Sequence, residues 1–145
     1  PIHDITTNTS NPTEFKAIIP IREGSPNTLV YGSGEGMTAE MLRTMQLDAY
    51  PDIVPQEFDV SPDEVFSRAV AAAEEMGWEI VDVDAQERRL EATDTTFWFK
   101  FKDDVVVTVT PIGGKAVLNA RSVSRVGRSD VGKNAQRLRE FFALL

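Results

Sequence analysis

The adjacent glycines Gly113-Gly114 constrain the fold of this chain more than any other pair of residues. They separate two runs that alternate apolar and polar side chains, and both can take the positive φ that a two-residue hairpin turn requires. A turn there sets Lys115–Ser124 antiparallel to the valine-rich run before it. Val105, Val107 and Val109 then share a face with Leu118 and Ala120, which makes that face core. Thr108, Thr110, Asn119 and Arg121 occupy the other face. Arg121 stands opposite Val106 and diagonal to Asp104, within reach of an ion pair. Asp103 falls on the core face opposite Ser124, where a carboxylate is costly unless paired or hydrogen-bonded. It should therefore meet an arginine, the serines or the turn amides at 127–130, unless a bulge re-aims it. A slip of one residue would exchange the two faces.

Upstream of the hairpin, Ser61-Pro62-Asp63-Glu64 starts a helix: Ser61 caps, Pro62 takes the first helical position and Glu64 closes a capping box. Phe66, Ala69, Val70, Ala73 and Met76 fall on one side of it, and Gly77 ends it. Trp78–Val83 and Arg89–Thr95 read as strands joined by a turn at 84–88, and Thr96–Thr110 as one strand or two. After the hairpin, Ser129 or Asp130 caps a helix that runs to Leu145, with Val131, Ala135, Leu138, Phe142 and Leu145 as its buried stripe. Residues 1–37 hold no sustained period and read as an extended arm with turns. The groups Phe15–Ile19 and Thr28–Tyr31 should anchor it. Thr38 caps a short helix over Ala39–Ala49, with Met41, Leu42 and Met45 on its apolar side, and 51–58 is linker or edge strand. The fold class is α+β: an antiparallel meander of about four to five strands with two helices packed on one face and the arm ahead of it. Residues 1–60, the arm with its short helix, pack on the body 61–145 as one structural domain.

Several function classes are excluded on residue types. There is no cysteine, so no thiol chemistry, disulfide or cysteine zinc site. The single histidine, His3, lies in the arm, which argues against a Ser-His-Asp triad, and His3-Asp4 alone makes a poor metal site. No cofactor, metal or catalytic residue is assigned, and the chain leans away from being an enzyme. A net charge of −8 argues against nucleic acid as a partner. No apolar run approaches the ~18 residues of a membrane span. Asp94, Asp103 and Asp104 could form a carboxylate pair but read as a solvated turn. Phe97, Trp98, Phe99 and Phe101 put aromatics on both sides of one segment; the expectation is core plus an edge packed under the arm, with a ligand groove or protein interface as the alternative.

The charge is uneven. Residues 1–104 carry 21 of the 23 acidic side chains, while residues 105–145 carry 7 of the 15 basic ones. Arg121–Asn134, RSVSRVGRSDVGKN, holds much of that basic excess. Three readings of it stand open. In the first, Asp103, Asp104 and Asp130 with the arginines pin the last helix to the sheet, a structural ion-pair network of Asp103, Asp104 and Arg121. Backbone N–H groups at the helix start, with Arg121, Ser122, Ser124, Arg125, Arg128, Ser129, Asp130 and Asn134, can hold a small anion. Or the arginines meet acidic groups of a partner. Gly127–Asn134 also fits G-x-x-x-x-G-K followed by Asn, but a phosphate-binding loop needs Ser or Thr there and a parallel sheet around it.

RSVSRVGRSDVGKNAQRLREF, preceded by Lys102-Asp103-Asp104, resembles the C-terminal signature of the bacterial and plastid domain-of-unknown-function family numbered 1499. The opening IHDITT and Tyr50-Pro51-Asp52 resemble a proteobacterial branch of it. Asp103, Asp104, Arg121, Ser122, Ser124, Arg125, Gly127, Ser129, Asp130, Gly132 and Asn134 match the signature's polar set; Lys133 and Gln136 fall at variable positions. The resemblance implies no established activity. It implies a domain that in many relatives follows N-terminal membrane helices. That fits a start at Pro1 without Met and points to the bacterial cell envelope, on the periplasmic side, with the cytoplasm as the alternative. Membrane contact would then come only through a segment absent from this chain. The expected function is a non-enzymatic domain that binds a small anion or an acidic partner at the Arg-rich turn, or else a structural subunit of an envelope complex.

Overall fold

The computed structural model describes residues 2–145; Pro1 lies outside the described residues. Six strands are present among them: β1 (Asp4–Thr6), β2 (Gln56–Phe58), β3 (Glu79–Asp84), β4 (Arg89–Thr95), β5 (Lys102–Ile112) and β6 (Lys115–Ser124). Three helices accompany them, α1 (Ala39–Ala49), α2 (Pro62–Glu75) and α3 (Lys133–Ala143). The strands form one antiparallel sheet in the order β1-β6-β5-β4-β3, with β2 also paired to β6. The fold is α+β, with a β3–β6 meander and helices packed on it.

The glycine turn behaves as expected. Gly113 and Gly114 have φ of 58° and 79°, and the register runs from Ile112 opposite Lys115 to Asp103 opposite Ser124. That register sends Val105, Val107 and Val109 with Leu118 and Ala120 into one core with α2 and α3. Ser61 caps α2 by accepting from the Glu64 amide at 3.2 Å. Trp78 stacks on Phe141 at 5.0 Å between ring centres and fastens α3 across the sheet.

The sheet has a second buried side. Val106 and Val123 face away from the helices and pack against Phe15 and Ile18 of the arm, with Leu29 beside them. The arm is therefore a cover over the other face. It also supplies both strands on the outer edge of β6: β1 pairs with one half of it (Asp4 opposite Val123) and β2 with the other (Gln56 opposite Leu118). The free edge of β1 is closed by a side chain. Gln46 accepts from the Thr6 amide at 3.1 Å and donates to the Thr6 carbonyl at 2.7 Å, in place of a neighbouring strand. This is why Gln46 joins Leu42 on the fully buried side of α1; Met45 packs against the core beside them, and Met41 is exposed.

Two expectations fail locally. The last helix starts at Lys133, three residues past Asp130, because Val131 and Gly132 hold φ of 47° and 84° and cannot be helical. Val131 consequently points to solvent, and Phe141 takes the centre of the buried stripe, with Phe142 and Leu145 at its margin. Thr96–Phe101 forms no strand; β4 and β5 are joined there by a loop in which Lys100 has φ 56°.

Candidate functional site

Strand alternation sends the neighbouring aspartates to opposite faces, and each finds arginine there. On the helix side, Asp103 meets Arg137 of α3 at 2.7 Å. The same guanidinium donates to Asp94 at 2.7 Å. Asp94 and Asp103 are directly opposite on β4 and β5, a like-charge pair that would be unfavourable without the cation between them. Asn134 completes the cluster. Its carbonyl accepts from Ser122 (2.6 Å) and Arg137 (2.8 Å), and its amide donates to Ser124 (2.9 Å) and Asp130 (2.8 Å).

On the arm side, Asp104 is fully buried and surrounded by donors. Arg22 reaches it at 2.8 Å, Arg125 binds both its oxygens at 2.8 and 2.9 Å, and Thr93 donates at 2.7 Å. Burial by itself would push the Asp104 carboxyl up; hydrogen bonds from Arg125, Thr93 and Arg22 outweigh it and hold the carboxyl below the ordinary range. Arg121 pairs with Asp4 through two bonds of 2.9 and 2.7 Å, and donates to the Thr13 and Leu29 carbonyls of the arm. The expected Arg121–Asp104 pair is thus replaced: β1 brings Asp4 alongside Arg121, while Asp104 takes its cations from the arm and from Arg125. Glu91, also fully buried, accepts the amides of Lys16, Ala17 and Ile18 at 2.9, 2.8 and 3.2 Å. A carboxylate on β4 therefore ties down the turn that covers the face.

These contacts leave little for an outside anion. Arg121, Ser122, Ser124, Asp130 and Asn134 are buried, and Arg125 is half-buried against Asp104. Three amides leading into α3 already have acceptors within the chain: Val131 donates to Ser129, Gly132 to the Asp130 carboxylate at 2.7 Å, and Lys133 to the Asp130 carbonyl at 2.9 Å. Only Arg128 and Ser129 of the eight residues assigned to that site are exposed. Arg128 lies near Glu35 at 3.4 Å, and its carbonyl is 3.2 Å from the His3 ring. Among the described residues no group of three His, Cys, Asp or Glu side chains is placed to hold a metal. Arg22, Glu91 and Arg137 belong to the clusters without standing out in the sequence, and Asp4, which the sequence offers only beside His3 as a poor metal site, belongs with them. The β4 register that faces Glu91 to the arm depends on where the 96–101 loop begins, and Arg137 could have been found as the cation one turn beyond Asn134.

At the same end of the sheet stands an opposite kind of surface. The β4–β5 loop carries Phe97 at 73 % exposure, Trp98 at 83 % and Phe99 at 76 %, with Phe101 at 49 %. The expectation that these aromatics form core and an arm-covered edge is overturned: the arm covers the sheet face behind them and stops short of the loop. The loop's base is fastened, since Thr96 donates to the Phe101 carbonyl at 2.8 Å and its hydroxyl accepts the Phe101 amide at 2.9 Å. Phe97 and Trp98 meet edge to face at 4.9 Å, and Phe99 stacks on Phe101 at 5.6 Å. Val126 and exposed Val131 line the same cleft and extend the apolar surface onto the turn before α3.

A family model described as "Protein of unknown function (DUF1499)" matches residues 4–145. No curated protein matches the chain. No helix among the described residues is long and apolar enough to cross a membrane.

Proposed function

We propose a docking role for this chain, which belongs to the DUF1499 family of proteins of unknown function: a non-enzymatic domain that attaches through its aromatic loop. The arginine–aspartate clusters are structural and hold that loop's base still. The setting proposed with it is the bacterial cell envelope, on the periplasmic side. The observation that carries the reading is that Phe97, Trp98 and Phe99 are each more than 70 % exposed on a loop closed at its base. Large apolar side chains gathered in water mark an interaction site, and a fixed base lowers the ordering cost of using it. In the buried clusters, by contrast, opposite charges already neutralise one another.

A photo-reactive phenylalanine analogue at position 98, irradiated in cells, tests this. It should yield covalent adducts, whereas the same analogue at Ile112, exposed at the far end of β5, should yield none. Absence of adducts at 98 overturns the reading. A second reading, a small anion beside Arg128, is favoured by that residue's exposure and by a neighbouring cavity of about 230 Å³ lined by Ile2, His3, Val30 and Met37, and opposed by Asp4 and Glu35 in the same lining. A thermal-shift series of anionic metabolites would raise the midpoint in wild type and not in Arg128→Ser if it is correct.

A further inference from the structure

We infer that the surface on which the aromatic loop docks is the interfacial layer of a lipid bilayer that carries anionic headgroups. The inference rests on the docking reading and names its partner. Two observations support it. First, Phe97, Trp98 and Phe99 stand exposed on the loop between two strands. Exposed rings suit a fluid interface, where Trp and Phe sit among headgroups and upper acyl chains.

Second, lysines flank the apolar tip. Lys100, Lys102 and Lys133 are exposed on the two segments that build it, 95–102 and 125–133, while the one acidic side chain in those segments, Asp130, is buried; Arg128, on the second segment, lies 3.4 Å from Glu35. Lys100 lies 5.2 Å over the Phe97 ring, so its ammonium travels with the tip. In a chain of net charge −8 this end has the sign that an anionic surface attracts and the remainder has the sign it repels. That polarity orients the domain with the loop toward the bilayer.

Trp98 reports on the event. The other tryptophan, Trp78, is buried against Phe141 and should not respond. Vesicles of phosphatidylglycerol and phosphatidylcholine should shift Trp98 emission to the blue and carry the protein down on centrifugation, and added salt should weaken both. Each of Lys100→Ser, Lys102→Ser and Lys133→Ser should lower partitioning about fivefold. Trp98→Phe should still sediment without the spectral change. Free glycerol phosphate should produce no shift; a shift with it would assign the site to a soluble anion and overturn the lipid. Equal partitioning onto phosphatidylcholine alone overturns the role of the lysines, and no sedimentation with anionic vesicles overturns the bilayer as partner. If vesicles fail while position 98 still forms adducts with a protein in cells, docking stands and its partner is proteinaceous. If position 98 forms no adduct of any kind, the docking reading falls as well.

Discussion

Arg121 and Trp98 lie toward the same end of one sheet and are treated in opposite ways. The arginine is 3 % exposed, with Asp4 on one side and two arm carbonyls on the other; the tryptophan is 83 % exposed and touches one neighbouring ring edge to face. Charge has gone inside and aromatic surface has stayed out. Inside, every acid has been answered: Asp104 by Arg22 and Arg125, Asp103 and Asp94 by Arg137, Glu91 by three backbone amides. A conspicuous charge cluster in a sequence can thus be complete within the fold. The unfinished surface, the one whose burial would still release free energy, is the apolar loop.

Substitutions sharpen this contrast, because the clusters should control stability and the loop should not. Asp104→Ala leaves two guanidinium groups without their buried partner and should cost about 3–5 kcal/mol in urea unfolding. A cost under about 1 kcal/mol would show that water reaches the arm side and that the cluster is not sealed. Acid should act through the same group. The native Asp104 carboxyl is held below the ordinary range, so its contribution is fully present above the unfolded value of about 3.9 and is lost as pH falls through the native one. The stability gap between wild type and Asp104→Asn should therefore be flat from neutral pH down to about 4 and close below it.

Glu91→Gln keeps one acceptor but turns an amide N–H toward backbone donors, and should cost about 2–3 kcal/mol. It should also open the arm around Phe15 and Ile18 to limited proteolysis before the sheet unfolds, which separates the two faces. Asp103→Asn should cost less, about 2 kcal/mol, because Arg137 retains Asp94. At the small end, Trp98→Ser and Phe99→Ser should move stability by no more than about 0.5 kcal/mol, measured by the same unfolding curves. A loss of several kcal/mol from either would mean that the loop is part of the core after all.

Much of the fold follows from features a reader of the sequence can point to. Gly113-Gly114 sets the hairpin register to the residue, and with it the facing of Val105, Val107, Leu118 and Asp103. Ser61-Pro62 starts α2 where local capping says it should. The failures sit where local rules compete. Ser129 and Asp130 are good caps, yet Val131 and Gly132 in left-handed geometry delay the helix. The aromatic run 97–101 has strand composition, yet it closes a loop. The candidate site was half visible: the register brought Asp103 to the core face and demanded a partner, while Arg22 and Asp4 lie about a hundred residues or more from the β6 groups they contact, beyond what spacing along the chain can relate.

The sequence alone determined strand alternation, the position of the glycine turn, the start of α2 and the need of Asp103 for a cation, since each depends on residues close in the chain. Which cation answers which aspartate was decided only when the arm crossed the second face of the sheet and α3 crossed the first. The same packing left Phe97, Trp98 and Phe99 in water. Burial is a property of the whole assembly, so a run of aromatics cannot state by itself whether anything will arrive to cover it.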